Sequence, residues 1–583
     1  MSTKGWRAAD FMGLTPGIDP RRSDQLYALN GRNYLFDSRG AKSAFGDRML
    51  TPYPIGKPQH AQGFRLRLRG GDRCFSMFGD GIFEWSETTG SWTVLYVTPD
   101  TTVTPYRWTY GYLNGYLYFC HPRTGILVMP IETDLVVPLD SVGMPDQPIS
   151  IVIDNGRLGA MNLRALYWSA PSNGLDWVPR EGGPGFQVIN DRVAGDPIMI
   201  TSYTGGILTW TTGGVMRSEF TGDVEVYRHR ALNTEYRMIN SFCWMKIDDN
   251  TVVIADERGL FETKGEAPKP FTPLFNEFLI DYLQKNKLRI GTNVRLEWDD
   301  LRRHVYLSVS LSESNPIYEK AFVLYPPLDK WGQFNELHYG ILPLRIDNSI
   351  RADDFFGYVD STGVVRRWMD VGSVEIVQVS NSLNSNYPLQ QKPPHEIEGG
   401  SGIVFASSLA INTIENSNLL IPAGFFPRDG VVPVDANLGP LNASIQFGLV
   451  RFTGDATDTE ISELTQLTLG SVISGDVATV VEDYKLIPDG TSNEDYNIVV
   501  GAEDFGFETL TYVNHKTRLI ASMDGVSSFM EAIPTLVSFY QGLRNYSLSV
   551  NGIWFILELS ATEIGEAFHL KVFELTAIPA GSL

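Results

Sequence analysis

Four pairs of adjacent carboxylates, Asp248-Asp249, Asp299-Asp300, Asp353-Asp354 and Glu494-Asp495, are the first residues to weigh in this chain of 583. A glycoside hydrolase needs two carboxyl groups, one to protonate the leaving oxygen and one to attack or to activate water. All four pairs sit in turn-like stretches, where Asp and Glu accept local backbone hydrogen bonds. The run DGTSNEDYN lacks the alternating oxygen ligands of a calcium loop. The eight histidines are scattered, with no HExxH and no His/Cys set at zinc spacing. His229 and His304 adjoin arginines and read as exposed polar positions. No G-x-S-x-G elbow, P-loop or G-x-G-x-x-G occurs. No catalytic residue, metal ion or cofactor is therefore expected. In FRLRLRGG, alternation places Arg65, Arg67 and Arg69 on one strand face. That face reads as a solvated edge or a contact for an acidic partner, with a platform for single-stranded nucleic acid as a third reading.

The stretch LYWSAPSNGLDW, Leu166 to Trp177, invites comparison with the Asp-box turn of sialidase-type propellers, Ser-x-Asp-x-Gly-x-Thr-Trp. Aligned on Gly174, Trp177 falls in place, but Ala170, Ser172 and Asp176 stand where Ser, Asp and Thr belong. The box is a structural turn in any case. The stretch is expected to form a hairpin, with Leu166 to Trp168 ending a strand, Pro171 to Gly174 turning the chain and Trp177 plugging a blade.

The elements around it repeat. A β-rich run, a Gly/Asn/Asp turn, a second run and often a Trp recur at Cys74–Trp92, Tyr106–Ile131, Leu166–Trp177, Pro197–Met216, Phe242–Thr263, the stretch ending at Trp331, and Asp353–Met369. About seven units, each near 45 residues, match the spacing of propeller blades. Asp80-Gly81, Asn114-Gly115 and Gly205-Gly206 suit two-residue hairpin loops. Stacked sandwiches are the alternative architecture. After Trp368, a Gln/Asn-rich stretch, Ser380 to Gly402, reads as a linker or extended loop, and strands then resume. ISELTQLTLGSVI is compatible with a short helix or a strand. The expected fold is all-β: a β-propeller of about seven blades, inserted in or joined to a β-sandwich platform. The expected units are a basic N-terminal segment (1–60) that is part of the platform, the propeller (61–370), a linker (371–402) and a C-terminal platform domain (403–583).

The formal net charge is −21, divided as +7 over residues 1–70, −10 over 71–368 and −18 thereafter. Such a chain repels nucleic acid as a whole. The basic start is either a solvated face or a docking surface. Cys74, Cys120 and Cys243 form no CxxC pair, which suggests reduced thiols and an intracellular folding compartment. The first residues carry no apolar signal core, and no apolar run is long enough to span a membrane.

Several segments together resemble the tail nozzle, or tail tubular B-type, proteins of short-tailed bacteriophages. They are PGIDPRRSDQLYALNGRNYLFDSRGAKSAFG (Pro16 to Gly46), LYWSAPSNGLDW with the following AGDPIMITSYTGGILTWTTGGVM, LNASIQFGLVRFTGDATDTEISELTQLTL (Leu441 to Leu469), YNIVVGAEDFG, and GIWFILELSATEIGEAFHLKVFELTAIPAG. The resemblance implies a structural, non-enzymatic virion protein, assembled in the host cytoplasm. It would form a six-fold homo-oligomeric ring at the distal end of the tail. The ring would dock to the head-to-tail adaptor, carry fibres or spikes and pass double-stranded DNA. Acidic walls would let a duplex slide, so Glu482, Asp483, Asp489, Glu494, Asp495, Glu503 and Asp504 are the candidate channel lining, with solvent-facing loops as the alternative. Arg21, Arg22, Arg32 and Arg39 are the candidate docking residues. The competing function is a propeller that binds or cleaves host-surface glycans. A cleaving site would show two carboxylates about 5 to 10 Å apart in a central pocket, or arginines around a tyrosine.

Overall fold

The structure is a computed structural model. It describes residues 106–343 apart from 234, 249, 300–301 and 312–316. Outside that stretch it describes 4–8, 11–14, 26–38, 40–43, 46–52, 61–68, 71–78, 81–86, 91–97, 356–369, 374–379, 419–422, 443–452, 460–471, 480–481, 484–488, 496–500, 507–510, 516–522, 529–532, 534–540, 543–561 and 569–582.

Seven antiparallel four-stranded units follow one another along the chain. Blades 1 to 5 occupy residues 62–97, 109–138, 150–188, 197–233 and 244–270. Blade 6 spans 294–334, and blade 7 spans 338–369 with one strand from elsewhere. Each of the seven repeats read from the sequence overlaps one of these sheets. Tight turns set their hairpins: Asn114-Gly115 (φ 47° and 86°) and Asn155-Gly156 (φ 44° and 68°) both adopt the left-handed pair that matches strand twist.

What closes the units into a ring is the packing between them. One apolar core lies between each consecutive pair. Phe64 and Phe75 of blade 1 meet Leu117 and Phe119 of blade 2. Tyr118 and Cys120 meet Leu158 and Ala160 across the next seam. Trp168 packs with Ile207 and Met216, and Trp210 with Ile254 and Phe261. Met245 and Val253 share a core with Leu296 and Leu307, and Tyr306 and Val323 share one with Ile341 and Tyr358. The seventh core joins blade 7 (Leu342, Val359, Val365) back to blade 1 (Cys74, Phe83, Trp85). A fully buried Phe or Leu contributes roughly 1.5–3 kcal/mol. The seams, more than the ladders within each blade, therefore hold the ring.

The fourth strand of blade 7 is Gly46–Pro52, which pairs with Val364–Met369. On sequence grounds this strand was grouped with the platform. It lies instead in the propeller and fastens the end of the ring to its beginning. The rest of the N-terminal segment pairs with the C-terminal part. Lys4–Ala8 pairs with His569–Ser582, and Leu26–Arg32 with Ala443–Val450. Two sheets face each other there, and Phe36, Leu464, Leu467 and Leu575 of one pack on Ile445, Phe447, Phe555 and Leu557 of the other. This is a β-sandwich built from both ends of the chain, with the propeller inserted between them. ISELTQLTLGSVI is resolved as strand Glu460–Ser471. The sandwich and propeller share a sheet: Lys330–Phe334 of blade 6 pairs with Tyr34–Asp37, so one sheet runs through both.

Three further differences from the sequence reading have physical causes. Strand Ala165–Trp168 pairs with Gly185–Val188 rather than with a strand directly after Gly174. The segment between them folds over the blade seam, held by the Ala170↔Asn173 bridge. Trp177 is 1% exposed, lies in the core between blades 2 and 3, and donates from Nε1 to the Gly174 carbonyl (2.9 Å). A helix, Pro273–Lys285, was not anticipated. It buries Phe275, Phe278, Leu279 and Leu283 at helical spacing against Trp331 and Phe322. Its start is capped from blade 6, where the Asp329 carboxylate accepts from the amides of Leu274 (2.8 Å) and Phe275 (3.3 Å). Finally, His304 is buried, not exposed: one ring nitrogen bonds the Phe36 carbonyl at 2.8 Å, at the junction of blade 6 and the sandwich. His229 is half-buried beside Ser218 (2.8 Å). The expected linker 371–402 is corrected in part: Val374–Val379 is a strand that pairs with Leu419–Pro422 and Phe507–Leu510, because its alternating apolar residues find partners far along the chain. Residues 371–373 and 380–402 lie outside the described residues.

Candidate functional site: the axial cavity of the propeller

The first strand of each blade is the innermost. Those of blades 2 and 3, 3 and 4, 5 and 6, and 7 and 1 contact one another around the axis. They enclose a cavity of about 410 Å³. Its walls include Phe64 of blade 1, Tyr110 and Tyr112 of blade 2, Ile153 of blade 3, Ser202 of blade 4, Trp244 and Lys246 of blade 5, and Glu297 and Trp298 of blade 6.

Arg107, just before blade 2, is the central polar group. Nη2 donates to Glu297 Oε2 (3.1 Å), and Nη1 to the carbonyls of Trp244 (3.0 Å) and Leu296 (3.3 Å). Its backbone amide donates to Ser241 Oγ (2.7 Å), and its guanidinium lies 5.3 Å from the Trp244 ring centre. In a seven-membered ring, blade 2 stands opposite the seam of blades 5 and 6. Arg107 therefore links the entry of blade 2 to the far side of the ring. Glu297 is held from the other side by Arg295, whose Nε and Nη2 donate to Oε1 at 2.8 and 2.6 Å. Arg295 is wholly buried and also donates to the Ala61 carbonyl at the entry of blade 1. The guanidinium–carboxylate–guanidinium bridge thus ties blades 1, 2, 5 and 6 at the axis.

The remaining lining is aromatic and hydrogen-bonding. Tyr110 stacks on Phe64, with ring centres 3.7 Å apart and planes at 10°. Tyr110 is 43% exposed to the cavity, yet walls surround it, and loss of solvent pushes its phenol up to about 12. It is a hydroxyl donor at neutral pH. Lys246 Nζ donates to Ser202 Oγ at 3.1 Å. Close by, Asp154 accepts from Tyr227 (2.8 Å) and Asn155 (2.9 Å); burial raises its pKa, and the Lys246 cation partly offsets that. Among the described residues Glu297 is the one carboxylate in the lining, which there presents neither a carboxylate pair nor a cluster of arginines around a tyrosine.

None of these axial groups was singled out from sequence. The residues that were singled out lie elsewhere. Glu482, Asp483, Asp489, Glu494, Asp495, Glu503, Asp504, Arg21, Arg22 and Arg39 are outside the described residues. So are Asp249, Asp300, Asp353, Asp354, Arg69 and the side chains of Arg65 and Arg67. Asp489, Glu494 and Asp495 fall in sequence between two antiparallel strands, Tyr484–Pro488 and Tyr496–Val500. Arg32 is described: it is exposed on the sandwich and pairs with Glu336 at 3.2 Å. Glu336 also accepts from Asn33 (2.8 Å), so Arg32 helps stitch the sandwich to the propeller. Asp248 is a turn residue, accepting from the amides of Asn250 and Thr251, each at 2.7 Å. Asp299 similarly accepts from the Arg302 amide (3.1 Å) and guanidinium (3.2 Å). Cys74, Cys120 and Cys243 are buried and none is in a disulfide. Among the described residues no group of His, Cys, Asp and Glu could hold a metal ion. No described helix is long and apolar enough to cross a membrane.

No family model matches this chain, and no curated protein matches it. Solved structures similar to it include the extracellular domain of the BT4673 two component system from B. thetaiotaomicron, at 11% identity and TM-score 0.37. That match covers 58% of this chain and 41% of the other. The RRP9 WD40 repeats match at 9% identity and TM-score 0.35, over 55% of this chain and 97% of theirs. YCF48 bound to D1 peptide matches at 11% identity and TM-score 0.31, over 61% and 97%. The propeller assignment rests on the seven sheets and their seven seams.

Proposed function

We propose that the chain is a structural, non-enzymatic subunit of the nozzle ring of a short phage tail. The observation that carries this reading is architectural. Both ends of the chain build one sandwich, the propeller is inserted between them, and a continuous sheet couples the two. Three of the segments that carry the family resemblance pair in the sandwich: Leu26–Arg32 pairs with Ala443–Val450, which pairs with Trp554–Ala561. A two-part subunit suits a ring, which needs two different, complementary faces on every copy.

The axial cavity, about 410 Å³, is far too small for a duplex, so any passage for DNA runs between subunits. Its lining is then drawn from the acidic C-terminal part, with Glu482, Asp483, Asp489, Glu494, Asp495, Glu503 and Asp504 as candidates. Arg21, Arg22 and Arg39 remain candidates for docking to the adaptor or to a neighbouring copy. Arg32 is a weaker one, because Glu336 already engages it. Glycan cleavage is disfavoured, since the one axial carboxylate among the described residues is held by two arginines. Electron microscopy of the assembled tail tests the proposal. The proposal requires several copies around one central channel, and a single copy per tail would overturn it.

A further inference from the structure

The axial cavity has properties that ring assembly does not require. Its volume, about 410 Å³, lies within the range of pockets that enclose one small ligand. Tyr110 and Tyr112, on its wall, are 43% and 40% exposed, so their rings and hydroxyls are within reach of a guest. The Arg107 side chain keeps 14% of its surface, and Lys246 is half-buried. The five N–H groups of the Arg107 side chain make three hydrogen bonds among the described residues, to Trp244, Leu296 and Glu297. Two donors remain. Tyr110 is near enough to Arg107 and Glu297 for both charges to act on its phenol, which stays protonated at neutral pH. Phe64, Ile153 and the faces of the Trp244 and Trp298 rings make the rest of the wall apolar.

The charges select the guest. Arg107 and Arg295 share the single carboxylate of Glu297. Lys246 adds a third cation, bonded to the neutral Ser202 hydroxyl and close to Asp154. Among the described residues, three cations thus stand against two carboxylates at the cavity. Burial raises the pKa of Asp154, and its protonation only enlarges that excess. An uncompensated cation in a walled, apolar space is costly, and a guest with one negative charge removes the cost. A phosphate dianion overshoots the excess and has no apolar surface for the aromatic walls. We infer that the axial cavity binds a small organic monoanion, a single carboxylate on an apolar or aromatic body. The carboxylate lies against Arg107 and the Tyr110 hydroxyl, in the field of Lys246, and the body lies among the aromatic walls. This is a binding site only; no bond is made or broken. It does not depend on the ring proposed above, because it lies within one propeller.

The test is a titration of the full-length purified chain with benzoate and with hexanoate, read by saturation-transfer NMR and tryptophan fluorescence. Benzamide and hexanamide are the neutral comparators of the same shape, and sodium phosphate is the inorganic one. Saturable binding of at least one acid is expected, about ten-fold or more tighter than that of its amide. Lys246→Met should weaken it about ten-fold, and Tyr110→Phe about three-fold. Lys285→Met removes an exposed cation at the end of the helix and should bind as the unchanged chain does. Near-UV circular dichroism checks that each variant folds, and Tyr110→Phe, the loss of one oxygen, carries the test if Lys246→Met does not fold. Four results would overturn the inference: no acid saturates, an amide binds as tightly as its acid, phosphate binds in preference, or the folded cavity variants bind unchanged. None of these bears on whether the chain assembles into a ring.

Discussion

Arg107 bears on both stability and shape, because its guanidinium joins Glu297 to the backbone of blades 5 and 6. Arg107→Met removes one partner of a nearly buried pair while leaving Glu297 with Arg295. A loss of about 3 kcal/mol is expected in urea unfolding, at the low end for a broken buried pair because one arginine remains. Trp177→Ala empties the seam between blades 2 and 3 and should cost about 3–5 kcal/mol by the same measurement. The histidines give the pH dependence. Burial, the largest cause in each case, lowers His304 to about 3 and His121, His229 and His338 to about 4. In the unfolded chain each takes a proton near pH 6.5, whereas the folded chain stays neutral until far lower pH. Stability is therefore complete above about pH 6.5 and is lost as pH falls toward the folded values. Tm should fall steadily from pH 7 to pH 4, and His304→Gln should flatten part of that slope. A Tm unchanged across this window would contradict the burial of these rings.

At the scale of elements, two junctions hold the architecture. Strand Gly46–Pro52 closes blade 7, so replacing it with a flexible Gly/Ser segment should leave Val364–Met369 as a bare edge. Faster amide exchange confined at first to 364–369 is the expected result. At the second junction, a Cβ at Gly332 would lie 2.0 Å from the Tyr34 carbonyl oxygen. Gly332→Val should force blade 6 from the sandwich and split one melting transition into two by calorimetry. A single unshifted transition would show that the shared sheet does not couple them. The blades were legible in the sequence because a blade is a local object: alternating apolar residues, a Gly turn and a Trp lie within a few dozen residues of each other. The helix Pro273–Lys285 also left a local trace, a Pro followed by Phe275, Phe278, Leu279 and Leu283, though its cap, Asp329, comes from another blade. The closing strand and the axial bridge left none. Gly46–Pro52 finds its partner at the far end of the propeller, and Arg107 lies 190 positions from Glu297. His304 was misjudged for the same reason: the arginines beside it in sequence suggest exposure, but the Phe36 carbonyl that its ring nitrogen meets lies 268 positions away.

For the whole molecule, the inserted propeller and its small axial cavity make one demand. If the chain builds a conduit, copies must surround it, and no copy conducts through its own centre. The uneven charge fits such a ring, with the basic start and the strongly acidic C-terminal part available to different faces. The most direct test is cryo-electron microscopy of the assembled tail, with this seven-bladed disc fitted into the density. The expected result is a closed ring of six copies around one channel wide enough for a DNA duplex, with every propeller axis away from that channel. A single copy per tail, or a duplex path through the centre of a propeller, would contradict it.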